Sequence, residues 1–231
     1  MDREVLAEPR VAARLARLSF ARIEREHASA TVRALLDGAG TLVFLGDMAI
    51  ARQPGTSSPR AFLTFLDDAL AAARLHREHA ASGTRESACA LADRDVALGF
   101  PERALERLAA APASRAVILL RARAELSRGD VARAREQLAG LAAGETPLAL
   151  AAELLLAERR APELVTLVRN ASAADPASRL ALARALLETG ERAAAQGILA
   201  ELVAQPSALG VSAEELLVRS VRPEPGHAHG R

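Results

Sequence analysis

From about Thr84 to Pro206 the chain repeats itself, with spacings of 30, 30 and 31 residues between the turn positions Gly99, Gly129, Arg159 and Gly190. Five residues after each turn stands a small or apolar side chain, Ala104, Ala134, Leu164 and Ala195, and four further on another apolar one, Leu108, Leu138, Val168 and Leu199. Seven residues before each turn is Ala92, Ala122, Ala152 or Ala183, a small side chain where two helices have to approach closely. Pro112, Pro147, Pro176 and Pro206 follow the second half of each unit, where a ring without an N–H ends one helix or opens the next. Each unit therefore reads helix, turn, helix. A pair of helices cannot cover its own apolar side, so such units have to stack side by side.

Composition agrees with this pattern. Ala, Leu, Arg and Glu dominate, Trp and Tyr are absent and aromatics make up 2% of the 231 residues, which favours helices and removes common strand formers. The fold class expected is all-α, an α-α superhelical solenoid.

The spacing resembles that of the tetratricopeptide repeat family. Leu182-Ala183, Leu186, Gly190, Ala195, Leu199 and Pro206 fall where the family pattern has its Leu-Gly pair, an aromatic, the turn, Ala, a second aromatic and Pro. Other aromatic positions of the pattern hold Asp95, Glu125 and Arg179, and Arg159 stands at a turn glycine. The resemblance implies helical hairpins at 84–206 and a protein or peptide partner rather than a reaction.

The flanking segments read as follows. Residues 1–83 are expected to be helical and to include divergent hairpins. One helix runs Pro9 to His27 with Val11, Leu15, Leu18, Phe20 and Ile23 inward; a second region, Ser29 to Arg52, is interrupted near Gly38 and Gly40. Gln53 to Pro59 is a loop, Ser58-Pro59 an N-cap with the first helical residue, and a third helix runs to about Ala81. Ser212-Ala213-Glu214-Glu215 has capping-box spacing and opens a helix through Val221, so 207–222 reads as a terminal cap; 223–231 reads as a disordered tail.

Several function classes recede on these grounds. All 30 basic residues are Arg, interspersed among 29 acidic ones for a net charge of +1, so there is no basic field for nucleic acid and no aromatic platform for single strands. The most apolar stretch, Thr41 to Ala51, is too short for a membrane span and contains Asp47. A single cysteine, Cys89, and an N-terminus without an apolar signal core point to a cytoplasmic location. No nucleophile elbow and no phosphate loop is present, since Gly38-Ala39-Gly40 lacks the following Gly-Lys. No catalytic residue and no cofactor is assigned.

The candidate partner surface is a set of ladders along the first helices of the pairs. Three residues before each turn lie Val96, Leu126, Leu156 and Leu187, and three earlier again Asp93, Arg123, Glu153 and Arg184, alternating in sign. One turn further back are Cys89, Leu119, Ala149 and Leu180. One reading is an apolar groove with charged edges on the concave face, accepting an amphipathic helix or extended segment. The other is internal: the charges pair with one another and the chain's own helices cover the leucines. A homo-oligomer is compatible with either. A separate alternative is a metal-binding or ligand-sensing N-terminal domain, with the repeats as its oligomerisation arm, built on Glu24, His27, His76 and His79 at two helix ends.

Overall fold

A computed structural model describes residues 3–16, 29–35, 40–54, 58–142, 144–171, 174–204 and 208–221, and they are mostly helical. The chain divides into two compact units, Met1–Gly140 and Leu141–Arg231.

The first unit contains α1 (Arg3–Ala7), α2 (Pro9–Leu15), α3 (Ala30–Leu35), β1 (Gly40–Leu45), β2 (Met48–Pro54), α4 (Pro59–Ser82), α5 (Arg85–Ala97), α6 (Pro101–Leu108), α7 (Arg115–Arg128) and α8 (Val131–Ala139). Here the structure corrects the sequence reading. The region Ser29 to Arg52 is not a broken helix: its second half is an antiparallel hairpin, with Leu45 opposite Met48 and Gly40 opposite Pro54. Thr41, Val43, Phe44 and Ile50 suit a pleated, half-buried surface, and Gly46-Asp47 supplies the two-residue turn, with Gly46 at φ 60° where a side chain would be strained. A bulge between Val43 and Phe44 lets the hairpin fold over. Ala49, Ile50 and Ala51 are buried, while Phe44 and Met48 stay exposed.

The expected Pro9–His27 helix is described through Leu15, with Val11 fully buried; Leu18, Phe20 and Ile23 lie outside the described residues. Helix α4 begins where its cap requires: the Ser58 hydroxyl accepts from the Ala61 N–H and Pro59 fills the first turn, while Gly83 closes the other end at φ 59°. Its buried face, Phe62, Phe65, Leu66, Ala69 and Ala72, packs with Val5, Val11, Ala49, Ala51, Leu98 and Phe100.

Helices α5 and α6 form one antiparallel pair and α7 and α8 a second, and α7 packs on both helices of the first pair. The second unit contains α9 (Leu148–Ala157), α10 (Ala161–Asn170), α11 (Pro176–Glu188), α12 (Arg192–Val203) and α13 (Ala208–Val221). There α9 pairs with α10 and α11 with α12; α11 packs on both helices of the preceding pair, and α13 packs on α12 and α11.

The four pairs share one turn. Each first helix ends on a residue of positive φ: Gly99 at 85°, Gly129 at 83°, Arg159 at 58° and Gly190 at 86°. In each, the next N–H reaches back five residues: Phe100 to Asp95 (2.7 Å), Asp130 to Glu125 (2.9 Å), Arg160 to Leu155 (2.9 Å) and Glu191 to Leu186 (2.8 Å). The turn residue itself donates to the carbonyl three back, completing a Schellman closure that satisfies carbonyls otherwise left open. Ala92, Ala122, Ala152 and Ala183 are all fully buried, as are Ala104, Ala134, Leu164 and Ala195 across the pair. A larger side chain at the alanine positions would force the helices apart. Ala213 in α13, 30 residues beyond Ala183, is buried in the same way, so α13 carries the register of one more first helix and starts four residues before the expected Ser212. Among the described residues no helix is long and apolar enough to cross a membrane.

Candidate functional site

The ladder residues do not all face outward. In the first unit Val96 is buried in the α5–α6–α7 core, Leu119 and Leu126 are half-buried, and Cys89 is a half-buried thiol against the same core. Asp93 and Arg123 form an ion pair from α5 to α7, both largely exposed; here two charges of the ladder serve each other. In the second unit Leu180 is buried in the core, and Leu156 and Leu187 pack half-buried against it. Glu153 is half-buried and Arg184 exposed.

Of the alternative metal cluster, Glu24 and His27 lie outside the described residues. His79 places Nδ1 2.7 Å from the Ser87 hydroxyl, within the capping cluster of α5. His76 is buried against α6, far from a ligand role: its Nδ1 lies 3.5 Å from Nη2 of Arg107 and its buried Nε2 has no partner. Among the described residues no group of three or more His, Cys, Asp or Glu gathers as a metal site would need.

Two other arrangements emerge at one shared register. The first is a charged joint. Asp95 on α5 is 2% exposed, and its carboxylate accepts from Nε and Nη2 of Arg103 (2.9 and 2.6 Å) and from Nε of Arg107 (2.7 Å). Removing a carboxylate from water is costly, and two guanidiniums with fork geometry make that burial tolerable. Arg103 also donates to the Ala49 carbonyl of β2 at 2.6 Å and stacks on Phe100 with 4.3 Å to the ring centroid; Arg52 lies 5.5 Å from the same centroid. Arg94 reaches Asp68 of α4 at 2.7 Å. The α5–α6 pair is thus covered on one side by α4 and β2 through polar contacts. Burial, then the neighbouring Arg107, hold the His76 imidazole below its ordinary value, with Asp95 acting the other way.

Sixty residues on, the same three positions are Leu155, Glu163 and Leu167. In the second unit they line an open groove of about 740 Å³ along α9 and α10, together with Leu148, Pro162 and Asn170. Its lining is mainly apolar, and Leu167 is 36% exposed although a leucine at a helix surface favours cover. The rim carries a small charge array: Arg160 donates from Nε to Glu163 at 2.7 Å, a second hydrogen bond closes the same fork, and Nη1 reaches Glu158 at 2.8 Å. The hydrogen bonds from Arg160 hold the Glu163 carboxyl below its usual range, so it stays ionised at neutral pH. The Thr166 hydroxyl is turned back onto the Pro162 carbonyl at 3.0 Å, leaving its methyl for the groove side.

Sequence reasoning passed over Leu148, Leu155 and Leu167 because it ranked positions by a ladder along the first helices. The signal was nonetheless present. Helix α9 reads Leu-Ala-Leu-Ala-Ala-Glu-Leu-Leu-Leu-Ala, apolar on nearly every side, which is the pattern of a helix covered all round. No family model, no curated protein and no solved structure matches this chain.

Proposed function

We propose that the chain is a non-enzymatic scaffold of tetratricopeptide-like hairpins that acts in the cytoplasm by holding a protein or peptide partner. The observation that carries this reading is the apolar groove on α9 and α10, open in a molecule whose other hairpin faces at that register are closed by its own helices or by β2. Two features support it further. The polar groups described above are used in caps, turns and ion pairs, with no nucleophile set beside a base and an oxyanion site. The period of the hairpins gives a rigid support on which a surface groove keeps its shape.

The test is affinity capture from the source cell with the whole chain as bait, followed by mass spectrometry, repeated with Leu167→Glu. Leu167 is on the groove and outside the buried core, so the substitution leaves helicity intact. A reproducible set of captured proteins lost with the variant is the expected result. A bait that captures nothing above background, or a variant that captures the same set, overturns the groove as the working surface.

A further inference from the structure

We infer that the occupant of the α9–α10 groove is the apolar stripe of an amphipathic α-helix that carries a basic residue beside the stripe, an inference that rests on the scaffold reading above. The chain holds its own template for this contact. At the same register in the first unit, α4 lies along the α5–α6 pair, with Asp68 on Arg94 and His76 beside Arg107, and β2 offers the Ala49 carbonyl to Arg103. Within the second unit, α9 and α10 in turn cover the matching side of α11, where Leu186 is buried. The elements that close this side of a hairpin are thus helical, joined in one case by a strand edge.

What changes between the units is the chemistry. Asp95, Arg103 and Arg107 present one carboxylate and two cations to their cover; Leu155, Glu163 and Leu167 present two aliphatic side chains and one carboxylate. The first set selects a cover with a carbonyl and an imidazole. The second selects aliphatic side chains over Leu155 and Leu167 and a cation beside Glu163. Glu163 shares its one cation, Arg160, with Glu158, so the three charges sum to −1 at the rim. A lysine or arginine from the partner completes that array, and leucines spaced one helical turn apart fill the space between α9 and α10. An extended strand fits less well, because its side chains alternate between faces and would leave every second one off the groove.

The probe is a fluorescein-labelled synthetic amphipathic peptide of about 18 residues, with leucines at i, i+4, i+7 and i+11 and lysines flanking the stripe, titrated against the full chain by anisotropy. Binding is expected to weaken about tenfold or more with Leu167→Glu, equivalent to one buried leucine contact or more. Glu163→Arg is expected to weaken the lysine peptide and to restore binding to a matched peptide with glutamates in place of the lysines. Thr166→Arg, at the exposed rim, serves as a second blocking variant, and far-UV circular dichroism verifies that each variant folds. Equal binding by wild type and all three variants overturns the inference, as does a proline-extended or scrambled peptide that binds as well as the helical one. Capture of cellular proteins that depends on Leu167 while the peptide fails to bind also overturns it, and leaves the scaffold reading standing.

Discussion

The strongest quantitative handle on the repeat is the residue at Arg159. It is the one described non-glycine residue with positive φ, at 58°, and it occupies the turn held by Gly99, Gly129 and Gly190 in the other pairs. A Cβ in the left-handed region costs about 1–2 kcal/mol. Replacing it with glycine removes that strain and returns about 0.4–1 kcal/mol through the looser unfolded chain. Arg159→Gly is therefore expected to stabilise the second unit by about 0.5–1 kcal/mol, raising its Tm by several degrees at roughly 4–8 °C per kcal/mol for a unit of this size. Gly129→Ala is the mirror experiment: nothing lies within 4 Å of the added Cβ, so only backbone strain acts, and a loss of about 1 kcal/mol is expected. Gly99→Ala is expected to cost more than Gly129→Ala, because its Cβ would come within 2.8 Å of Nε of Arg52 and push that side chain off Phe100. Urea and thermal unfolding by circular dichroism measure all three. Arg159→Ala is the control, since it deletes the side chain and keeps the strained Cβ. If Arg159→Ala stabilises as much as Arg159→Gly, the gain came from the side chain and the backbone argument is wrong.

Further expectations concern the cores and the charged joint. Leu164 is fully buried in the second unit, and Leu164→Ala is expected to cost about 3 kcal/mol, seen as a lower urea midpoint with unchanged slope. Asp95→Ala leaves Arg103 and Arg107 mostly buried without their carboxylate and is expected to cost about 3–5 kcal/mol; the double change Asp95→Leu with Arg107→Leu, which copies the pair at Leu155 and Leu167, is expected to cost less. His76 is held neutral in the folded chain, so the unfolded chain binds the proton more readily. Its contribution to stability is expected to be complete above the ordinary imidazole value of about 6.5 and to be lost as pH falls below it. Urea midpoints measured from about pH 7.5 down to about pH 5 should fall more steeply for the wild type than for His76→Gln, and parallel slopes count against the assignment.

The period was legible because close helix approach leaves no freedom at a few positions. Ala92, Ala122, Ala152 and Ala183 are small for the same reason and fully buried with the same result, and spacing alone placed Arg159 at a turn that composition would have hidden. The hairpin at 40–54 was obscured by its leucines and alanines, which serve helix and strand alike; the decisive residues were Gly46 and Asp47, whose turn brings Val43 opposite Ala51. The site was harder to read for a different reason. Helix spacing ranks residues by the face of their own helix, whereas exposure depends on what another element lays over that face. Asp95 and Leu155 share one register, yet a charge that looks like surface is 2% exposed and Leu167, which looks like core, is 36% exposed. The difference lies in the cover: α4 and β2 bring His76 and a carbonyl to the arginines of the first unit, while Leu155 and Leu167 line an open groove. A repeated register therefore informs about function where its chemistry breaks, because a position that keeps its geometry and changes from charged to aliphatic has exchanged one kind of cover for another.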